Sequence, residues 1–166
     1  MTNPFWRPLT TIDLPAVQAI AATVHPGFFE SPDIFAERLR LYPGGAHLLE
    51  FDGEPRGYIF AHPWRAGTVP MLNSLLGAIP EGADSYYLHD LALLPSARGT
   101  GAATQIVGQQ IALAASEGFR SASLVAVNGS AGFWQRLGFA PDHRPELDNK
   151  LRSYEPSACY MVRLVA

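Results

Sequence analysis

Apolar positions along the chain follow two different spacings, and the changes of spacing mark out the secondary-structure elements. Near the N-terminus, Val17 and Ile20 belong to an apolar series at helical intervals that follows a proline tolerated only in a first turn. Ser31 followed by Pro32 predicts the start of a second helix, which ends at the Pro-Gly-Gly run beyond it. The first third of the chain is therefore predicted to contain two consecutive amphipathic helices.

Short apolar runs bounded by turn residues predict the strands. The run "FWRPL" is the first, and the runs "AHLLEF" and "PRGYIFAH" flank an Asp52-Gly53 turn that is typical of a hairpin. The runs "SYYLHDLALL", "RSASLVAV" and "SACYMVRLV" predict three more. A long helix ending at Gly118 is expected between the fourth and fifth strands, and "SAGFWQRLGF" predicts a short helix after the fifth.

The resulting order, β-α-α-β-β-β-α-β-α-β, indicates one mixed sheet covered by helices, an α/β (α+β) fold. With 166 residues, the whole chain, 1–166, is expected to form a single domain. The segment 63–83 has no clear periodicity, and a short helix is predicted within it at 71–76. The polar segment 142–156 is predicted to be a connection without an element of its own.

Composition narrows the class of protein. Hydrophobic residues make up 48% of the chain and charged residues 16%, which is typical of a globular domain. A net charge of −3 does not favour general nucleic-acid binding. The chain shows neither a membrane-spanning apolar run nor the start of a signal peptide, so a cytoplasmic protein without membrane binding is expected. Cys159 is the only cysteine, and the histidines lack ligand spacing, so no metal site is predicted.

A loop of small residues, 98–104, lies between the fourth strand and the long helix. Free N–H groups and the positive end of the helix dipole meet there, and Gly99 and Gly101 leave room for an anion beside Arg98. The loop half-matches a dinucleotide fingerprint, but the acidic residue that should follow about 20 positions later is missing, and the Walker pattern also fails. The loop predicts either a phosphate cradle or a tight turn that binds nothing.

A polar pair, His89 and Asp90, interrupts the otherwise apolar fourth strand. Both are candidate general bases, because an imidazole or a carboxylate can accept a proton from an attacking nucleophile. The alternatives are a histidine satisfied in the core or at the surface and a buried carboxylate that accepts backbone hydrogen bonds. Since side chains alternate along a strand, only one of the two is expected to face a cleft.

Several motifs together resemble the GNAT superfamily of N-acetyltransferases. The series Arg98-x-x-Gly101-x-Ala103 is similar to that family's pyrophosphate motif, Q/R-x-x-G-x-G/A. "LHDLALLPSA" resembles its fourth strand, and "VAVNGSAGFWQRLGF" resembles its asparagine-containing fifth strand and following helix. The resemblance covers nearly the whole chain. It implies a mixed sheet of about six or seven strands flanked by four or so helices, with strands four and five splayed around a bulge.

The resemblance also implies transfer of an acetyl group from acetyl-CoA to a primary amine of a small molecule or peptide, without a metal. Main-chain groups of the fourth strand would hold the pantetheine arm, at Leu91, Ala92 and Leu93. The pyrophosphate would be held by amides of Arg98, Gly99, Thr100, Gly101, Ala102, Ala103 and Thr104. Side chains near the thiol would be Asn128, Phe133 and Trp134. Contacts with the acceptor are expected from Phe28, Phe29 and Glu30. A homodimer through the C-terminal strands is a further implication.

One position departs from the family pattern. The tyrosine that usually protonates the leaving thiolate is replaced by Trp134, whose indole N–H cannot release a proton. Tyr160 is a substitute candidate, with Tyr154 and Ser130 as further alternatives; unassisted departure of the thiolate is also plausible. Two other functions stay open on these residues: a coenzyme A-binding sensor or scaffold with weak activity, and an NAD-type or phosphate-ester enzyme that uses the glycine loop.

Overall fold

The computed structural model describes residues 3–165, which form a seven-stranded sheet with helices on both faces. The strands are β1 (Phe5–Pro8), β2 (Ala46–Phe51), β3 (Glu54–Trp64), β4 (Ser85–Leu93), β5 (Ser121–Ala126), β6 (Ala140–Pro141) and β7 (Cys159–Leu164). The helices are α1 (Leu14–Val24), α2 (Pro32–Leu41), α3 (Ala102–Ser116), α4 (Ala131–Arg136) and α5 (Asp148–Tyr154). Short 3₁₀ turns occur in several of the connections.

The sheet order is β1-β2-β3-β4-β5-β7-β6, and only the central pair β4 and β5 is parallel. A parallel pair needs a crossover connection, which α3 provides. The hairpin between β2 and β3 turns at Asp52 and Gly53, whose positive φ values of 54° and 76° match the twist of the two strands. The mixed α/β sheet with splayed fourth and fifth strands is thus confirmed.

Two apolar layers enclose the sheet. Consecutive side chains of β3 belong to different layers. Tyr58 packs on the side of α1 and α2, with residues such as Phe35, whereas Ile59 packs on the side of α3, with residues such as Ile106. Val17 of α1 is also fully buried in the first layer. The helical spacing that the sequence shows therefore corresponds to the faces that α1 and α2 turn to the sheet.

Two segments differ from the sequence-based prediction. No helix forms at 71–76, because the N–H groups of Leu76 and Gly77 donate to the carboxylate of Glu37, at 2.6 and 3.0 Å, instead of to helical carbonyls. Conversely, the polar segment 142–156 contains α5, which buries only Leu151 and so has little apolar periodicity. The two-residue strand β6 was also missed, since it is too short to carry a pattern.

Candidate functional site

The centre of the sheet opens into a wedge. Strands β4 and β5 pair only at Tyr86 with Ala122 and at Tyr87 with Ser123, whereas β4 continues to Leu93 in its pairing with β3. Beyond Tyr87, the edge of β4 that faces β5 therefore has no partner strand. Backbone groups left unpaired in this way are available to a ligand that lies between the two strands.

A bulge in β4 lies at His89. The adjacent residues Phe60 and Ala61 of β3 stand opposite Asp90 and Leu88, so His89 is the extra residue. An extra residue cancels the alternation of side chains at that point. His89 and Asp90 consequently both contact the segment between α1 and α2, and both line one cavity. The expectation that only one of them faces the cleft was wrong for this reason.

The glycine loop lies at one end of the wedge, where α3 begins. Gly99 and Gly101 have φ values of 77° and 82°, and a Cβ atom at either position would meet no protein atom within 4 Å. Glycine is therefore required here by backbone conformation, and the space beside it is open. Thr100 accepts the Ala102 N–H at 3.3 Å, and Trp6 Nε1 donates to the Ala102 carbonyl at 2.9 Å, which holds the start of α3 in place.

The other residues predicted for the coenzyme lie along the same path. The Nε of Arg98 donates to the carbonyl of Leu93 at 3.2 Å, so this cation is tied to the end of β4. Ala92 and Leu93 bury their side chains in the core, Leu91 lines the cavity, and Ala103 and Thr104 belong to the first turn of α3. These positions follow the chain from the end of β4 through Arg98 to the N-terminus of α3.

A cavity of about 680 Å³ lies along β4 and reaches Arg98, whereas residues 99–104 do not line it. Its walls come from the end of α1 with the segment after it, from 87–91 of β4, from the end of β5 with the start of α4, and from Arg98. Leu72 and Tyr154 line it on the remaining side. A concave site of this size with a few polar groups is typical of ligand pockets.

Two histidine–carboxylate pairs lie in the wall of the cavity. In the first, His89 Nε2 lies 2.7 Å from Glu30 Oε1, and the Asn73 N–H donates to Glu30 Oε2 at 3.2 Å. Both side chains are almost fully buried, with 3% and 4% exposure. Glu30 thus connects β4 to the loop that carries Leu72.

In the second pair, His25 Nε2 lies 3.0 Å from Asp90 Oδ1, and the Tyr58 hydroxyl donates to Asp90 Oδ2 at 2.6 Å. Burial lowers the pKa of His25, but the hydrogen bond and charge of Asp90 outweigh it, so the net pKa is raised. Burial raises the pKa of Asp90, but the bond and charge of His25, with smaller contributions from His89 and Tyr58, leave it below its ordinary value. The pairing of Asp90 with His25 therefore favours the ionised form of both groups.

Aromatic residues of α4 line one part of the cavity. Trp134 is 8% exposed and lines the cavity, with Phe133 at 4.9 Å and Phe139 at 5.6 Å between ring centroids. Asn128 follows β5 with a φ of 55°, is exposed, and also lines the cavity. The structure therefore places Asn128, Phe133 and Trp134 together in this part of the cavity.

The remaining predicted residues divide into two groups. Phe28 lines the cavity and packs edge-on against His25, with 6.4 Å between ring centroids, whereas Phe29 is 62% exposed and outside the lining. Tyr160 lies away from the cavity, and its hydroxyl accepts the Gly67 N–H at 3.0 Å. Tyr154 lines the cavity instead, and its hydroxyl donates to the Pro70 carbonyl.

His25 is a polar residue of the cavity that the sequence analysis did not propose for the site. It follows α1 directly, and the partner that raises its pKa is 65 positions further along the chain. A histidine at the end of a helix was the available signal, since a helix C-terminus favours a cation. Within residues 3–165, no group of three or more histidine, cysteine, aspartate or glutamate side chains could hold a metal ion, and no helix could cross a membrane.

Solved structures with this fold cover nearly the whole chain. Ard1 from Thermoplasma volcanium aligns over 99% of both chains with a TM-score of 0.78 and 15% identity. A GNAT-like decarboxylase, GphF, in complex with isobutyryl-CoA aligns over 98% of this chain and 100% of its own, with a TM-score of 0.81 and 16% identity. Naa50 from Arabidopsis thaliana, bound to the bisubstrate analogue CoA-Ac-MVNAL, aligns over 97% of both, with a TM-score of 0.71 and 14% identity.

At these identities the likeness shows the fold alone, and the same fold occurs in a GNAT-like decarboxylase and in a protein that binds a bisubstrate analogue of CoA and a peptide. No curated protein sequence matches the chain significantly. The family model for the acetyltransferase (GNAT) family, however, matches residues 14–139, which include the glycine loop, the wedge and the bulge. Sequence and fold agree on this point, and the chain belongs to the acetyltransferase (GNAT) family, whose activity is acyl transfer from acyl-CoA.

Proposed function

We propose that the protein is an N-acetyltransferase that transfers an acetyl group from acetyl-CoA to a primary amine of a small molecule or peptide. One observation carries the proposal: a single cavity joins the unpaired edge of β4 and Arg98 to the two histidine–carboxylate pairs. The first two features suit a coenzyme, and the pairs suit proton transfer at the acyl group.

The coenzyme would lie in the wedge. Its pyrophosphate would meet the N–H groups of 99–104, where side chains are absent or small and the dipole of α3 favours an anion. Its pantetheine arm would bond the free edge of β4 and reach Asn128. The thioester carbonyl would then lie against backbone N–H groups beside the bulge, which would stabilise the negative charge that develops on its oxygen.

His89 is our candidate for the general base. Glu30 holds the Nε2 side of the ring, so the Nδ1 atom is left as the acceptor, and this atom has no hydrogen-bond partner within residues 3–165. Asp90 is a poor base because both of its oxygens are bonded and its pKa is below the ordinary value. We therefore assign Asp90 a positioning role. Glu30 likewise positions His89 instead of contacting the acceptor.

Binding and turnover test the proposal separately. The Tm of the protein should rise with acetyl-CoA and stay unchanged with NAD, since a ligand stabilises the state that binds it. Release of the coenzyme thiol should then depend on an added amine, across a panel of small primary amines, amino acids and short peptides. Absence of a Tm rise with acetyl-CoA would contradict the coenzyme assignment.

The alternative is a sensor or scaffold of the same fold, which the replacement of the family's tyrosine by Trp134 favours. Under that alternative, acetyl-CoA raises the Tm, but no amine in the panel increases thiol release above the rate of hydrolysis. The same experiment therefore distinguishes the two functions.

A further inference from the structure

A proton donor for the departing thiolate is missing from the position where this family usually carries a tyrosine. Trp134 occupies that position and cannot release a proton. The hydroxyl of Tyr160 is engaged by the Gly67 N–H, and the residue does not line the cavity. Burial raises the pKa of Tyr154 to about 12, and its hydroxyl donates to a carbonyl. Neither tyrosine is therefore suited to the task.

We propose that His25, held by Asp90, is the general acid that protonates the leaving thiolate. This inference rests on the proposed function and extends it. His25 lines the same cavity as Trp134 and Asn128, and its partner Asp90 belongs to the bulged part of β4 against which the thioester would lie. Both ring nitrogens of His25 are buried and have no hydrogen-bond partner of regular geometry in the described part of the chain. Nε2 lies 3.0 Å from Asp90 Oδ1 as a charge pair, and Nδ1 is the atom left to meet the sulfur.

The surroundings of His25 suit a group that carries a proton before the reaction. Asp90 faces it from β4, and Glu30 adds a second negative charge from the segment after α1. Tyr58 of β3 fixes Asp90 from the other side at 2.6 Å, and His89 is near enough to act on Asp90. Because its pKa is raised, His25 keeps its proton up to a higher pH than an ordinary histidine does.

The proton balance of the step is simple. When the tetrahedral intermediate collapses, the carbon–sulfur bond breaks and its electron pair goes to sulfur. The proton on Nδ1 of His25 forms the new S–H bond, and the ring becomes neutral while Asp90 stays ionised. The proton from the amine goes to His89, and exchange of both histidines with solvent restores the starting state.

The first test uses coenzyme A itself and needs no acceptor. A cation beside the sulfur favours the thiolate, so the bound thiol should titrate about one unit below the free value of about 8.5. Ultraviolet absorbance of the thiolate measures this, after subtraction of the coenzyme-free protein to remove Cys159. In His25→Gln, the bound thiol should return to the value of the free coenzyme, while His143→Gln, at a residue with 77% side-chain exposure, should behave like the unaltered protein.

The second test is the pH dependence of kcat with acetyl-CoA and the amine that supports turnover in the panel. The unaltered protein should lose activity at high pH as His25 loses its proton. His25→Gln should lower kcat about 100-fold, the low end for general acid catalysis because a thiolate leaves readily, and should abolish this alkaline limb. Asp90→Asn should move the limb to lower pH, because burial of His25 is then opposed only by the weaker effects that remain, among them the charge of Glu30.

Each other outcome overturns the inference. If His25→Gln instead removed the fall of activity at low pH, His25 would be a base. If kcat fell by the same factor at every pH, with the losses at low and high pH both unchanged, the role of His25 would be structural. A bound thiol that titrates alike in His25→Gln and the unaltered protein would separate His25 from the sulfur. Failure of coenzyme A to bind, by contrast, would contradict the proposed function itself.

Discussion

At the scale of single residues, the chemistry of the cavity depends on which partner each side chain meets. His25 and His89 each have a carboxylate next to Nε2. The side chain of His25 is 18% exposed, whereas that of His89 is 3% exposed. Burial is the largest cause that lowers the pKa of His62 to about 3, and the positive charges of His89 and Arg38 add to it. The hydrogen bond and charge of Asp90 reverse that effect at His25, so a neighbouring carboxylate determines the direction in which the pKa of a buried histidine moves.

Trp134 illustrates a residue whose position suggests chemistry that its side chain cannot perform. We expect Trp134→Phe to keep kcat within about twofold, because the indole N–H cannot release a proton. The free energy of unfolding should fall by about 1–2 kcal/mol, since the smaller ring leaves a gap beside Phe133 and Phe139. Steady-state kinetics and urea denaturation measure the two effects. A tenfold loss of kcat in the folded variant would instead assign the indole N–H a part in catalysis.

At the scale of elements, the N-terminus of α3 does two things at once. It starts the crossover helix that makes β4 and β5 parallel, and it presents the glycine loop to the wedge. Gly101 is the N-cap and has a left-handed conformation, which glycine adopts without strain. The other end of α3 is followed by Gly118, whose φ of 89° is similar and whose Cβ position is also open.

These two glycines make a matched pair of variants. Gly101→Ala and Gly118→Ala should each lower the free energy of unfolding by about 1 kcal/mol, because alanine is strained at a positive φ. Only Gly101→Ala should weaken binding of acetyl-CoA, by about tenfold or more, since its methyl group would enter the space proposed for the pyrophosphate. Calorimetric titration gives the affinities. Equal affinities for the two variants would argue against a pyrophosphate at this loop.

The loop 70–77 is the other element that shapes the site, and α2 holds it. Glu37 accepts the N–H groups of Leu76 and Gly77, and the fully buried Arg38 donates to the Ser74 carbonyl at 3.0 Å. These bonds explain how a segment without a regular element keeps Leu72 in the cavity wall. A buried charge with such partners is costly to leave unpaired, so the loop and α2 are expected to stay together.

At the scale of the whole molecule, the wedge is a gap in an otherwise continuous sheet. Both sides of the gap are rigidly supported, β4 by β3 and β5 by β7, while the edges that face each other are free beyond Tyr87. Parallel pairing between β4 and β5 is lost there. The protein is therefore built so that a ligand can complete the middle of the sheet.

Hydrogen exchange should reveal this completion. Peptides covering 88–93 of β4 should become more protected when acetyl-CoA binds, because amides that face β5 then gain hydrogen-bond partners. Peptides covering 46–51 of β2, which lies between β1 and β3, should show no change. Protection that spreads equally over both regions would indicate general stabilisation, and unchanged exchange at 88–93 would contradict a coenzyme in the wedge.

The order of the main elements and the position of the glycine loop could be predicted from the sequence, because helical and alternating patterns report local burial directly. The segments with few buried residues were not predicted correctly, namely α5, β6 and the irregular loop 70–77. The mixed sheet and the acetyltransferase (GNAT) family were predicted from the pattern and the motifs together, and both are confirmed.

Only the tertiary structure decided how the polar residues meet. The bulge at His89 depends on the pairing of β4 with β3, and it brings two neighbouring residues to one face against their alternation. The pairing of His25 with Asp90, and of Glu30 with His89, joins residues about 60 positions apart. Local patterns carry no record of such contacts, because the electrostatic energy of a side chain is set by whatever the fold places beside it.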